Sequence, residues 1–194
     1  MRFQFVFRAV ALSLATLGLA TCANSPAPRV GSAEAPVARS AGLVLQAHEG
    51  ERRMRRSPGG APFILKVDRQ NGGSPDLVMG YEDLPPGYVI PPHRHLVADE
   101  IIFVHQGSGI ASLGERESPV SAGATIYIPR NVTISLRNTG STPLGIAFIF
   151  SKPGFEELQR ETSVLEGQPV LPLSEAERAQ IREKHRSHVV FGRP

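Results

Sequence analysis

The chain has 194 residues, enough for one domain with a well-filled core plus appendages. Its 19 glycines and 17 prolines, with no tryptophan, argue for short strands and many turns and against a helical bundle. The formal charge of +3 includes Arg2 and Arg8; without them Lys plus Arg falls from 21 to 19 against 18 acids, a balance that gives no support to nucleic-acid binding.

Residues 1–22 read as an export signal. Arg2 and Arg8 flank a short apolar start, and Ala9 to Ala20 is an apolar, small-residue run too short for a membrane span. It ends Leu19-Ala20-Thr21-Cys22, which resembles the lipobox of bacterial lipoproteins, with Thr21 where Gly, Ala or Ser is usual. The expected destination is the periplasm, the outer membrane or the cell surface, with Cys22 as lipid anchor; cleavage after Ala23 is the alternative. Cys22 is the only cysteine, so no intramolecular disulfide can form.

Residues 23–61 read as a tether and a basic arm. The Ala-, Pro- and Ser-rich stretch 24–42 has little periodicity. The run Arg52-Arg53-Met54-Arg55-Arg56 is expected to be a solvated arm, partly offset by Glu49 and Glu51, in preference to a patch for an anionic membrane surface.

From residue 62 to 152 short β-like runs alternate with turns, the pattern of an all-β barrel or sandwich. The runs include Phe63–Val67, Leu77–Tyr81, Glu100–Val104, Ile110–Leu113, Thr125–Ile128, Val132–Leu136 and Leu144–Phe150. Residues 153–194 read as a helical extension. Pro153–Glu161 is a short helix expected to pack Phe155 and Leu158 on the barrel, and Ser174-Glu-Ala-Glu177 is a capping box opening a surface helix or tail through about His185.

The stretch Gly87 to Gly107 organises the rest. His93 and His95 share a strand face, because residues i and i+2 point the same way. Glu100 has the opposite parity and joins them only if Leu96–Asp99 turns, after which Glu100–Val104 is expected to return as the second strand of a hairpin. Two imidazoles and a carboxylate on rigid strands suit a divalent metal and leave positions open for substrate. Asp99 and the tyrosines 81, 88 and 127 are weaker candidates. Alternation from His93 turns Tyr88 and Arg94 away, nothing in the sequence ties Arg130 or Arg137 to the site, and His105 should face outward.

These residues resemble the cupin superfamily. Its first motif is filled by Gly87, His93, His95, Glu100 and Gly107; its second by Gly123, Pro129 and Asn138, with Asn131 standing for a glycine, since Asn also adopts left-handed backbone. The histidine of the second motif falls at Ile134. The resemblance implies a double-stranded β-helix (jelly-roll) barrel with short C-terminal helices, often a homodimer, with a pocket in its mouth. It implies a metal site of three His and one Glu holding Fe, Mn, Ni, Cu or Zn, of which His93, His95 and Glu100 carry over. Three functions fit. The reduced site could hold a divalent metal for dioxygenase- or isomerase-type chemistry on a small molecule. The barrel could instead be a metal-free binder of a small ligand, with Ile134 in an apolar wall, or an anchored scaffold or sensor whose histidines are structural.

Overall fold

The computed structural model describes residues 42–57 and 60–192. The export segment ending at Cys22 and nearly all of the stretch 24–42 lie outside them. No helix among the described residues is long and apolar enough to cross a membrane.

Among the described residues twelve strands and two helices follow in order: β1 (Glu51–Arg55), β2 (Pro62–Val67), β3 (Val78–Leu84), β4 (Val89–His95), β5 (Glu100–Gln106), β6 (Ser108–Leu113), β7 (Arg116–Ser121), β8 (Thr125–Ile128), β9 (Ile134–Asn138), β10 (Leu144–Phe150), α1 (Phe155–Glu161), β11 (Ser163–Leu165), α2 (Glu175–Lys184) and β12 (Val189–Phe191). They form a seven-stranded sheet, β11-β1-β2-β3-β10-β5-β8, and a five-stranded sheet, β12-β4-β9-β6-β7. Every pairing is antiparallel.

The core lies between the sheets and follows from alternation. Ile102 and Val104 of β5, Ile126 and Ile128 of β8, Ile134 and Leu136 of β9, and Leu144, Ile146, Phe148 and Phe150 of β10 all point inward and are buried. Each removes most of an apolar side chain from water, worth about 1.5–3 kcal/mol apiece before chain entropy is subtracted. Gly80 shows how closely the strands meet: it pairs with Phe148, and a Cβ there would fall 2.4 Å from the Phe148 ring.

The β4–β5 segment departs from the expected hairpin. β4 pairs with β9 and β12, whereas β5 pairs with β10 and β8. Residues 96–99 therefore carry the chain from one sheet to the other, so His93 and His95 face Glu100 across the barrel. The β8–β9 connection makes the same crossing at Asn131, the one non-glycine among the described residues with positive φ (67°), as the motif requires. Its N–H donates to the His95 carbonyl at 2.7 Å, tying the second crossing to the end of β4.

The basic run is not a solvated arm. β1 is an inner strand between β11 and β2, and each of its arginines has a distant partner. Arg52 donates to both oxygens of Glu166 at 2.5 and 2.7 Å, and Arg53 to Glu51 at 2.5 Å and Ser163 Oγ at 2.6 Å. Arg55 grips both oxygens of Glu82 at 2.7 and 2.8 Å. Arg56 donates to the Leu171 carbonyl at 2.8 Å and lies 3.8 Å from Glu177. From the other side Arg160 of α1 bonds Glu51 at 2.7 Å and the fully buried Asp68. Burial pushes Glu51 up, but the bonds from Arg160 and Arg53 outweigh it and hold its carboxyl below the usual range. These contacts fasten the C-terminal elements to the barrel.

α1 packs Leu158 into the interior and Phe155 against the core. At the start of α2 the Ser174 hydroxyl accepts from the Glu177 N–H at 3.2 Å, while the Glu177 carboxylate accepts from the Ser174 N–H at 2.7 Å.

Candidate metal centre in the barrel mouth

His93, His95 and Glu100 come together as the sequence predicts, all three buried, with one donor atom from each within 4.8 Å of the others. His93 and His95 end β4 and Glu100 begins β5, so the two sheets hold the cluster from opposite sides. The ring nitrogens are sorted by their surroundings. His93 Nδ1 lies 2.8 Å from the Pro91 carbonyl, which only accepts, so Nδ1 carries the proton and Nε2 presents a lone pair. Burial, then the neighbouring His95, pushes the His93 pKa down to about 4, so at neutral pH no proton competes for that lone pair.

His95 Nε2 stands 3.3 Å from Glu100 Oε2, yet neither atom makes a hydrogen bond among the described residues and both are shielded from water. A separation of about 3.3 Å is what two donors each about 2.1 Å from one tetrahedral ion would show. Two buried, unbonded donors facing each other are costly in a folded protein unless something binds between them. The residues therefore fit a divalent metal ion. When bound, such an ion supplies Lewis acidity.

The rings are fixed by aromatic packing. Phe155 of α1 lies edge to face with His95 at 4.7 Å and stacks on His93 at 6.1 Å, and Phe150 meets His95 at 4.7 Å. Phe191 of β12 stacks on His93 at 5.9 Å. Phe155 was legible as a packing residue; Phe191 was missed, although Val189-Val190-Phe191 is a short β-prone run.

Ile134 is directly opposite His93 in the β4–β9 register and fully buried. It lines an inner chamber of about 40 Å³ together with Ile102, Leu136, Phe148, His93 and Glu100. The fourth donor position of the motif is thus a dry hydrocarbon wall.

Tyr88 corrects the alternation argument. Between Ile90 and His93 the β4–β9 register slips by one residue, a bulge that puts Tyr88 and Ile90 on the same side as the histidines. Tyr88 lines the mouth, where burial raises its pKa and keeps the hydroxyl a hydrogen-bond donor. The tyrosines left open by the sequence lie elsewhere: the Tyr81 ring is 5.6 Å from exposed His105, and Tyr127 is 57% exposed. Asp99 serves no histidine. It accepts from the Arg130 N–H at 3.0 Å and from its guanidinium at 3.3 Å, which hold its carboxyl below the usual range.

Residues 80–150 match the family described as cupin domain. The chain is also similar to the structure of a predicted oxalate decarboxylase from Thermotoga maritima, at a TM-score of 0.52 and 20% identity, covering 57% of this chain and 100% of that one. Residues 80–150 are a cupin domain. At that identity the structural likeness speaks for the fold of the cupin barrel alone. Auxin-binding protein 1 of Arabidopsis thaliana is 32% identical over 90 residues, 42% of this chain and 45% of the relative. The dimethylsulfoniopropionate lyase DddW of Ruegeria pomeroyi is 30% identical over 86 residues, 43% of this chain and 54% of the relative. The chain spans about half the length of the curated relatives it matches, and these include an enzyme and a protein named for binding.

Proposed function

We propose that this cupin binds a small molecule in the barrel mouth beside a divalent metal held by His93, His95 and Glu100, and that it performs oxygenation or isomerisation there. The facing, unbonded His95 Nε2 and Glu100 Oε2 are the observation that carries the metal assignment. A histidine kept only for structure would be expected to have its inner nitrogen bonded.

The chain's own residues have separable roles. The Pro91 carbonyl fixes the His93 tautomer, and Phe155 and Phe150 set the plane of His95. Phe155, Phe191 and the aliphatic wall around Ile134 exclude water, which strengthens every electrostatic contact inside. The Tyr88 hydroxyl is placed to donate a hydrogen bond, or a proton, to an oxygen of the bound molecule.

A second reading rests on Ile134. With hydrocarbon in place of the fourth donor, the same cavity serves a metal-free binder. Ile134→His separates the two. Placed opposite His93, an added imidazole should raise divalent metal affinity on the order of 10- to 100-fold in competition with a chelator, the scale by which single groups tune metal sites. Unchanged affinity, with no metal retained by either chain, would favour the metal-free binder.

We further propose that the protein is exported and anchored through Cys22, a reading supported by the lipobox-like Leu19–Cys22. Cys22→Ala should move the protein from the membrane to the soluble fraction; unchanged fractionation would rule the anchor out.

A further inference from the structure

The inner chamber opens toward a second, roomier space that the metal reading does not use. This outer cleft has a volume of about 330 Å³ and lies between the barrel mouth and the C-terminal elements. Five residues line both spaces, Arg55, Glu82, Ile90, His93 and Phe155, so they form the neck between them. At about 40 Å³ the inner chamber has room for an ion or a water but not for an organic molecule. A small-molecule ligand of this site must lie in the outer cleft and reach inward past His93.

The charge of that cleft is one-sided. Among the described residues Glu82 is the one acid that lines it, and both its oxygens are taken by Arg55. Three further arginines line it: Arg56, Arg178 and Arg182. Arg178 donates to the Leu173 carbonyl at 2.5 Å, and the Arg182 guanidinium sits 4.8 Å over the Phe191 ring. A carbonyl and a ring orient a guanidinium without cancelling its charge, and five N–H donors leave several free on each. The ion pairs near α2 run from Arg56 to Glu177, from Lys184 and His185 to Glu161, and from Arg186 to Glu183. None of these takes up Arg178 or Arg182. The remaining walls are apolar, with Phe155, Leu158 and Phe191 among them.

We propose that the outer cleft binds a small monocarboxylate with an apolar body, Arg178 and Arg182 of α2 taking the carboxylate while Phe155, Leu158 and Phe191 pack the body against the neck at His93. The planar guanidinium fork matches a carboxylate better than an ammonium would. All five residues lie beyond the segment that matches the cupin family, so α1, α2 and β12 supply the recognition half of a site whose metal-binding half is the barrel's. The inference rests on the proposed small-molecule site but not on its metal.

The test is calorimetric titration of the full chain, metal-supplemented and chelator-treated, with hexanoate and benzoate against hexanamide and benzamide. The carboxylates should bind at least roughly tenfold more tightly than the isosteric amides, and Arg182→Gln or Arg178→Gln should each weaken carboxylate binding about tenfold while leaving the amides unaffected. Arg182 is exposed, so R182Q keeps the fold even if loss of the Arg178 bond to Leu173 loosens α2. Equal binding of acid and amide, no binding of either acid, or an unchanged R182Q overturns the proposal. Carboxylate binding that vanishes with the chelator and ignores Arg182 also overturns it while leaving the metal site standing. Arg182-dependent binding in a chain that holds no metal supports it and removes the metal reading instead.

Discussion

His95→Ala should leave the protein without metal. Elemental analysis of wild-type chain purified without added metal should find about one divalent ion per chain, and the variant should fall to background even after metal challenge. The reason lies in the number of donors. Among the described residues only His93, His95 and Glu100 converge, since Ile134 fills the fourth position, and two donors cannot hold a divalent ion against solvent. Loss of a coordinating side chain should cost at least the 100-fold or so that loss of a supporting neighbour can cost. Thermal melting with and without chelator gives a second readout. An ion at about a thousand times its Kd stabilises the folded state by about 4 kcal/mol, so chelator should lower the wild-type melting temperature and leave that of His95→Ala where it was. A wild-type chain whose melting ignores both chelator and added metal would end the metal assignment.

Much of this site was legible because its information is local. His93, His95 and Glu100 lie within eight residues, and Asn131 takes the left-handed backbone that its place in the motif demands. The inward residues of β5, β8, β9 and β10 follow simple alternation, which is why the barrel could be read from turns and runs. Alternation misleads where a strand is interrupted, and proximity in sequence misleads where partners are distant. Counting in twos from His93 turns Tyr88 away, and the bulge between Ile90 and His93 reverses that count. The hairpin expected after Leu96 assumed that a short turn joins neighbouring strands; here residues 96–99 cross between sheets, and no local pattern distinguishes the two outcomes.

The basic run failed for the second reason. Glu49 and Glu51 were the visible partners for Arg52–Arg56, but Glu82 is 27 residues from Arg55 and Glu166 is 114 from Arg52. Sequence composition shows a cluster of charge and cannot show which carboxylates the fold returns to it. The same blindness hid the outer cleft, whose arginines come from β1's end and from α2, more than 100 residues apart.

Arg55→Met should be among the most destabilising single changes in the barrel, by about 3–5 kcal/mol in urea unfolding. Glu82 is 3% exposed and Arg55 only 17%, so the bidentate pair sits in low-dielectric surroundings at the neck between the two cavities. Arg55 also lies 4.5 Å over the Phe63 ring, a contact worth about 0.5–2 kcal/mol that the substitution removes as well. Removing the guanidinium leaves a carboxylate that is 3% exposed and has no other cation among the residues lining the inner chamber. The cost therefore comes mostly from the stranded charge and not from the lost attraction. That distinction is measurable, because Glu82→Leu in the Arg55→Met background removes the stranded group. The double variant should regain most of the lost stability, as buried ion pairs replaced by apolar residues of similar size often do. If instead the double variant is less stable than Arg55→Met alone, the pair's own attraction and its packing on Phe63 dominate. A loss under about 1 kcal/mol in Arg55→Met would mean that Glu82 regains water or another cation from the outer cleft.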